Sequence, residues 1–464
     1  MSNDPGLGGR FGSLHPGHKL ALVVVVAFVL FVGVSWATAP PQAPDIDAGD
    51  GGDGTNNFSE YDEHPTLIGL QGPFNDHDGY AQLITGDDQP TLEWKSNETW
   101  ANFDVSPLPG GRVLTAFIVT DATPTRTGFR IYDVANDTIE REWTFPVRSS
   151  HNSEVHDVEM LPNGEVVVVD MDRERVFTVD GAGEITWQWN ASERYTPPSD
   201  AAARDWLHMN DVDRIGEDRY LVSVRNANQL LILERGEGVV EVINEDDGGS
   251  EDTCLSNSFG DKNRLVPGDD GDVLCGNPDV IREQHNPQWL GEGRVLVADS
   301  DNDRVTELRK QDGQWRPVLN YTGAGGTAFD WPRDADKLEN GNILVTDTRN
   351  SRIVEITPDG SMVWGVNTEG ASNPYEADRL PHGEYPPGLG NVSDGSITPG
   401  GSSGPDGRTE IPVVTLAFNA LVGTVAIPHW VTQWHLLGLV VTLLSAGFGT
   451  VWAYWDGRYT GRQT

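Results

Sequence analysis

Five short apolar runs fall into register along this chain. GRVLTAFIV begins at Gly111, GEVVVVD at Gly164, DRYLVSV at Asp218, GRVLVAD at Gly293 and GNILVTD at Gly341, at spacings of 53, 54, 75 and 48 residues. The runs follow turn loops such as LPGG, LPNG and LENG. Three of them lead into a D-x4-R pair and a second apolar run: Asp170–Arg175, Asp299–Arg304 and Asp347–Arg352. Each copy then turns into a further strand, often bearing tryptophan (Trp143, Trp187, Trp189, Trp364). A unit of about 50 residues with four short antiparallel strands is the period of a propeller blade. Residues 65–95 predict one more blade, closed by strands from both ends of the block. The expectation is an all-β, six-bladed β-propeller over residues 61–386, with seven blades as the alternative count.

The long spacing holds an acidic insertion, about Asn244 to Asp279. It contains both cysteines of the chain, Cys254 and Cys275. A single pair in an external segment predicts a disulfide, with two buried thiols as the alternative. Residues 39–60 and 387–410 are rich in Gly, Pro, Ser and Asp and read as linkers.

The block is bracketed by apolar segments. Residues 20–38 (LALVVVVAFVLFVGVSWA and its end) are long enough to cross a bilayer, and so are residues 435–455. A cleaved signal peptide with an A-x-A site at Ala37 is the alternative for the first. Arg10, His15, His18 and Lys19 precede the first span; Arg458 and Arg462 follow the second. Basic flanks on both outer sides place residues 1–19 and 456–464 in the cytoplasm. The number of spans is then even. Two are expected, with the apolar stretch 411–428 lying at the interface or in the membrane. The propeller is expected outside the cell, where six N-x-S/T sequons (Asn57, Asn97, Asn136, Asn190, Asn320, Asn391) are glycosylation candidates.

The net charge is −39, and five of the 32 cations are lysine. Such a surface repels nucleic acid and anionic lipid, which excludes both as main partners. It suits a halophilic protein in concentrated salt, where the Debye length is only about 3 Å.

Equivalent positions of different blades converge at the centre of a propeller. Eight residues upstream of each aligned run start, the column reads Phe103, His156, Asn210, His285 and Arg333. His208 lies two residues before Asn210. The D-x4-R pairs recur at one column and read as ion pairs within blades. The DSDND run at Asp299 overlaps that column, which argues against a calcium loop. The copy at Asp218 departs from the pattern: Val224 and Gln229 replace Asp and Arg, and Arg225 appears at the strand end. Departures from a structural repeat are where function concentrates.

The combination D-W-x-H-x-N (Asp205, Trp206, His208, Asn210), S-x-R (Ser223, Arg225) and Q-H-N (Gln284, His285, Asn286), with His156 followed by LPNG, resembles the arylsulfate sulfotransferases. It looks like a membrane-anchored, haloarchaeal-type member. The resemblance covers roughly residues 100–366. It implies a six-bladed propeller that needs no cofactor and moves a sulfuryl group from an aryl sulfate donor to a phenolic acceptor. His285 would be the transiently sulfated nucleophile. Arg225 would hold the sulfuryl oxygens, His208 and His156 would serve as acid and base, and Asn210 and Arg333 would bind substrate.

Two other classes stay open on the residues. His156, His208 and His285 are three ligands for Zn²⁺ in a metal-dependent propeller lyase or hydrolase. A non-catalytic surface propeller that binds a partner is the other. The sequence does not set the oligomeric state.

Overall fold

The GEVVVVD run explains the architecture. Val166, Val167, Val168 and Val169 are all fully buried. A strand covered on both faces reads as a continuous apolar run rather than an alternating one, and sheets stacked face to face around an axis impose that cover. The computed structural model describes residues 15–37, 43–47, 58, 64–72, 78–86, 89–96, 99–120, 123–245, 265–269, 271–368, 372–381, 383 and 433–460. Within them the block forms six four-stranded antiparallel sheets and one two-stranded pair.

Five blades run continuously in sequence. Their innermost strands are Ala101–Leu108, Val155–Met160, Met209–Gly216, His285–Gly291 and Asp334–Lys337. The aligned apolar runs are the second strands: Arg112–Val119, Val166–Asp170, Arg219–Val224, Arg294–Asp299 and Ile343–Asp347. The sixth, closing blade takes Pro374–Arg379 as its inner strand and Thr66–Leu70, Tyr80–Thr85 and Thr91–Lys95 as the outer three. Pairing the two ends of the block in one sheet closes the ring, and the edges left on each blade are short. Residues 43–47, expected in a linker, bridge this seam through Asp45 beside Asn367 and Asp47 beside Thr91.

Side chains tie neighbouring inner strands together. The Asp157 carboxylate accepts the Val212 N–H at 2.6 Å, Gln288 accepts the Lys337 N–H at 2.7 Å, and Asp334 accepts the Ala377 N–H at 3.0 Å. On the outer strands, tryptophans reach the next blade: Trp143 donates to the Gly183 carbonyl and Trp364 to the Gly86 carbonyl, each at 3.1 Å. The D-x4-R pairs are ion pairs within blades, at 2.8 Å (Asp170–Arg175), 2.6 Å (Asp299–Arg304) and 2.7 Å (Asp347–Arg352). In the third blade Val224 is fully buried, and Gln229 accepts from the Tyr195 hydroxyl at 2.8 Å, so a neutral contact stands in for the charged one.

The apolar runs at the two ends form helices α1 (Pro16–Ala37) and α2 (Gln433–Thr460), both long and apolar enough to cross a membrane. They touch at Gly17 and Gly449, where a Cβ on Gly449 would lie 2.5 Å from the Gly17 carbonyl oxygen. Small residues permit that approach. Cys254 lies outside the described residues, so the expected disulfide does too; Cys275 is buried against the second and third blades. Asn136 and Asn320 are exposed and Asn190 is half-buried. Asn57, Asn97, Asn391, the linker 387–410 and the segment 411–428 lie outside the described residues.

Candidate active site

The column of residues read from the repeat falls on the inner strands or just before them. Register shifts occur at Asn102/Val105, Val155/Val158, Met209/Asp211 and His285/Gln288, in each of the first four blades. A bulge at a strand end re-aims side chains out of the alternating pattern. Here it coincides with Phe103, His156, Asn210 and His285.

His285 is 1 % exposed. Its Nδ1 lies 2.8 Å from Ser300 Oγ, and Ser300 lies 2.7 Å from the Pro332 carbonyl oxygen. A carbonyl only accepts, so the single serine hydrogen goes to Pro332. The imidazole therefore carries its proton on Nδ1 and leaves the Nε2 lone pair available. Burial, followed by the nearby Arg333 and Arg225 charges, holds the His285 pKa well below the usual imidazole value. The ring stays neutral.

His208 is fixed differently. Its Nδ1 lies 2.7 Å from an Asp205 carboxylate oxygen. Its backbone is left-handed, at φ 54°. A non-glycine residue there costs on the order of 1–3 kcal/mol and persists only where the surroundings enforce it. Glu174 supplies the enforcement. Its buried carboxylate accepts the N–H groups of Trp206, Leu207, His208 and Met209 at 2.8–3.3 Å. D-W-x-H is thus a loop wrapped round one carboxylate from the preceding blade.

His156 meets the Tyr375 hydroxyl at 2.9 Å through Nδ1, and its ring lies 5.3 Å from that of His208. Burial and the charges of His208, Arg333 and Arg225 keep His156 neutral as well. Arg225 opens the turn Arg225–Ala227 after the second strand of its blade and is ion-paired with Glu283. Arg333 lies 4.2 Å from the Trp331 ring centre and 4.8 Å from that of Tyr375, and donates to Gln71 at 2.5 Å. Stacked guanidinium groups keep their charge and present donors edge-on. Asn210 spends one amide hydrogen on the Gln284 carbonyl at 2.9 Å, so it steadies the residue before His285.

The structure therefore gathers His156, His208, His285, Arg225 and Arg333 into one largely buried centre, with Asn210 supporting it. A cleft of about 720 Å³ lies beside it, lined by Arg148, His151, Asn152, Asp200, Arg204 and Asp205. Asp205 belongs to both cleft and centre.

Ser300, Tyr375, Trp331, Glu174 and Glu283 escaped the sequence reading. For Ser300 a signal existed: it follows the second strand of its blade as Arg225 does in the third. Tyr375 had none, because its closing blade continues at the other end of the chain and leaves no downstream run to align.

Comparison with known proteins bears on the same residues. The family model Arylsulfotransferase (ASST) matches residues 145–322. That segment spans the second to fourth blades and holds His156, His208, Asn210, Arg225 and His285, but not Arg333 or Tyr375. It is well under half of the chain. No curated protein matches. Among solved structures, a protein of unknown function from Bacteroides caccae is 13% identical, covering 68% of this chain and 98% of that one, with a TM-score of 0.46. A putative 6-phosphogluconolactonase from Bacteroides uniformis is 11% identical, covering 68% and 99%, at 0.44. Virginiamycin B lyase from Staphylococcus aureus is 10% identical, covering 59% and 73%, at 0.33. At these scores none of the three carries the functional reading.

Proposed function

We propose that this protein is a membrane-anchored sulfotransferase with its propeller outside the cell. It moves a sulfuryl group from an aryl sulfate ester to a phenolic acceptor through a sulfohistidine at His285. The observation that carries this reading is the state of His285: neutral, buried, and beside Arg225 and Arg333, with its lone pair on Nε2. The family match over the surrounding segment supports it.

Nε2 attacks the sulfur of the bound ester. The N–S bond forms, the S–O(aryl) bond breaks, and its electron pair leaves on the phenolate oxygen. His208 donates a proton to that oxygen from the Nε2 side, while Asp205 stabilises the ring through Nδ1. The acceptor phenol then gives its proton back to His208, its oxygen attacks the sulfur, and the N–S bond breaks. Arg225 and Arg333 hold the charge on the equatorial oxygens in both half-reactions. His156, hydrogen-bonded to Tyr375, is the second acid–base group. The two guanidinium groups disfavour a zinc ion on the three histidines, since they place positive charge beside it. Outside the cell a sulfate ester serves as donor in place of a nucleotide sulfate. The acidic, lysine-poor surface makes concentrated salt the medium in which to assay it.

Two outcomes follow for kinetics. His208→Ala is expected to lower transfer by about 10²–10⁴-fold. The loss should grow as the leaving phenol becomes more basic, measured over a series of aryl sulfates. A loss independent of the leaving group would remove His208 from proton transfer.

The second concerns pH. Protonation of Nε2 abolishes the nucleophile, and the His285 pKa is depressed. Transfer should therefore persist as pH falls through about 6.5, the ordinary histidine value, and decline only below it. A pH–rate profile half-lost at about 6.5 would assign that limb to an ordinary, exposed imidazole.

A further inference from the structure

The residue immediately after each of the five column residues bears a side-chain oxygen (Asp104, Asp157, Asp211, Asn286 and Asp334), and so does Glu376, which follows Tyr375 on the inner strand of the closing blade. Three of them converge. One oxygen each from Asp104, Asp157 and Glu376 lies within 4.8 Å of the others, and all three side chains are buried. Among the described residues, theirs is the group of potential metal ligands that comes this close; the three histidines do not.

Asp104 Oδ2 and Asn286 Oδ1 are buried and accept no N–H or hydroxyl hydrogen, on residues 1 % and 3 % exposed; the Asp104 carboxyl instead meets that of Glu376. Asn286 is set against the cluster, since its Nδ2 donates to Glu376 Oε2 at 3.3 Å. The protein supplies few donors of its own. Ser106 donates to Asp104 at 3.2 Å, the N–H groups of Val212 and Val158 go to Asp157, and Glu376 receives the Asn286 amide. Three converging buried carboxylates with so little compensation are costly to hold as anions. Burial, then the charge of Asp157, raises Asp104 well above the carboxylate range; burial, then Asp104, does the same to Glu376, and burial pushes Asp157 up to about 7.

We infer that Asp104, Asp157 and Glu376 form a site for one calcium ion on the propeller axis, with Asn286 holding Glu376 in place beside it. The donor set is all oxygen, as a hard cation requires. The three carboxylate oxygens lie close enough together to share one ion; calcium accepts such a cage of protein oxygens, whereas magnesium demands near-octahedral geometry at about 2.1 Å and keeps several waters. The three carboxylates directly follow Phe103, His156 and Tyr375 in the chain. The ion thus joins the inner strands of three consecutive blades and fixes the backbone under the His156–Tyr375 pair. This inference does not depend on the sulfotransferase reading.

The test uses the full chain in detergent and concentrated NaCl, where binding to the acidic surface is suppressed. The protein is stripped with EGTA, dialysed against calcium and analysed for bound metal. Its Tm is followed with CaCl2, with MgCl2 and with neither. One calcium per chain is expected, with a Tm higher by about 5 °C at calcium near one hundred times Kd. Magnesium should give a smaller shift. Asp104→Asn, which keeps the shape, and the double variant Asp104→Asn/Glu376→Gln should each fold and weaken calcium binding by at least about tenfold. Absence of bound calcium and of any shift in the unaltered protein would show that the carboxyls hold protons instead, and would overturn the inference. Calcium binding that survives Asp104→Asn at full strength lies elsewhere, and overturns it equally.

Discussion

Replacing His285 with alanine is expected to abolish sulfuryl transfer, with a loss of about 10⁴-fold or more and little change in the fold. A nucleophile that forms a covalent intermediate has no substitute nearby, so its removal costs as much as losing the whole catalytic set. The residual rate would come from Arg225 and Arg333, which still bind and polarise the ester. The fold should tolerate the change because Ser300 keeps its partner, the Pro332 carbonyl, when the ring is gone. A rate within about tenfold of the unaltered protein, measured with p-nitrophenyl sulfate and a phenol, would contradict the assignment. A loss of activity with a collapsed Tm would say nothing of chemistry, so the two readings are taken on one preparation.

The largest effect on stability is expected at Asp347. Its carboxylate is fully buried and accepts from Arg352 Nε at 2.7 Å, from the Asp330 N–H at 2.8 Å and from Asn350 Nδ2 at 2.8 Å. Asp347→Ala leaves the Arg352 charge, itself 7 % exposed, without its carboxylate and the Asp330 N–H unsatisfied. Breaking a buried pair from one side costs about 3–5 kcal/mol. The loss should persist in concentrated salt, because a buried pair is poorly screened. The third blade shows a way round it. There Val224 and Gln229 occupy the same two positions without charge. The double variant Asp347→Val/Arg352→Gln should therefore recover part of the loss, as replacement of both partners by neutral groups often does. Denaturant unfolding of the three proteins checks this. A cost under about 1 kcal/mol for Asp347→Ala would mark the pair as solvated.

The ring was legible because stacking sheets round an axis writes the same apolar run into every blade. The second strands carry that signal, so Gly111, Gly164, Asp218, Gly293 and Gly341 align. Counting back from them reaches the inner strands and hence His156, Asn210 and His285. Arg225 was visible as a break in the D-x4-R column. What lay outside the pattern was lost for physical reasons. Glu174 acts on four backbone N–H groups of the next blade, and a backbone acceptor leaves no mark on the residues it binds. Trp331 and Asn286 sit at positive φ, at 55° and 30°, which no propensity for tryptophan foretells. The carboxylates that follow Phe103, His156 and Tyr375 looked like ordinary acidic residues in a chain carrying 71 of them. Only the bulges at the inner strand ends turn consecutive residues such as His156 and Asp157 towards a shared interior.

The central claim is that His285 carries the sulfuryl group between donor and acceptor. The most direct measurement mixes the full chain with p-nitrophenyl sulfate in concentrated salt without acceptor, quenches in base, where a sulfated imidazole is expected to survive, and sequences the peptide containing His285 by mass spectrometry. The account predicts one nitrophenolate released per chain in a burst, an added SO3 on the His285 imidazole, and loss of that label when a phenol is supplied. Continuous nitrophenolate release with water as acceptor and an unmodified His285 would contradict it.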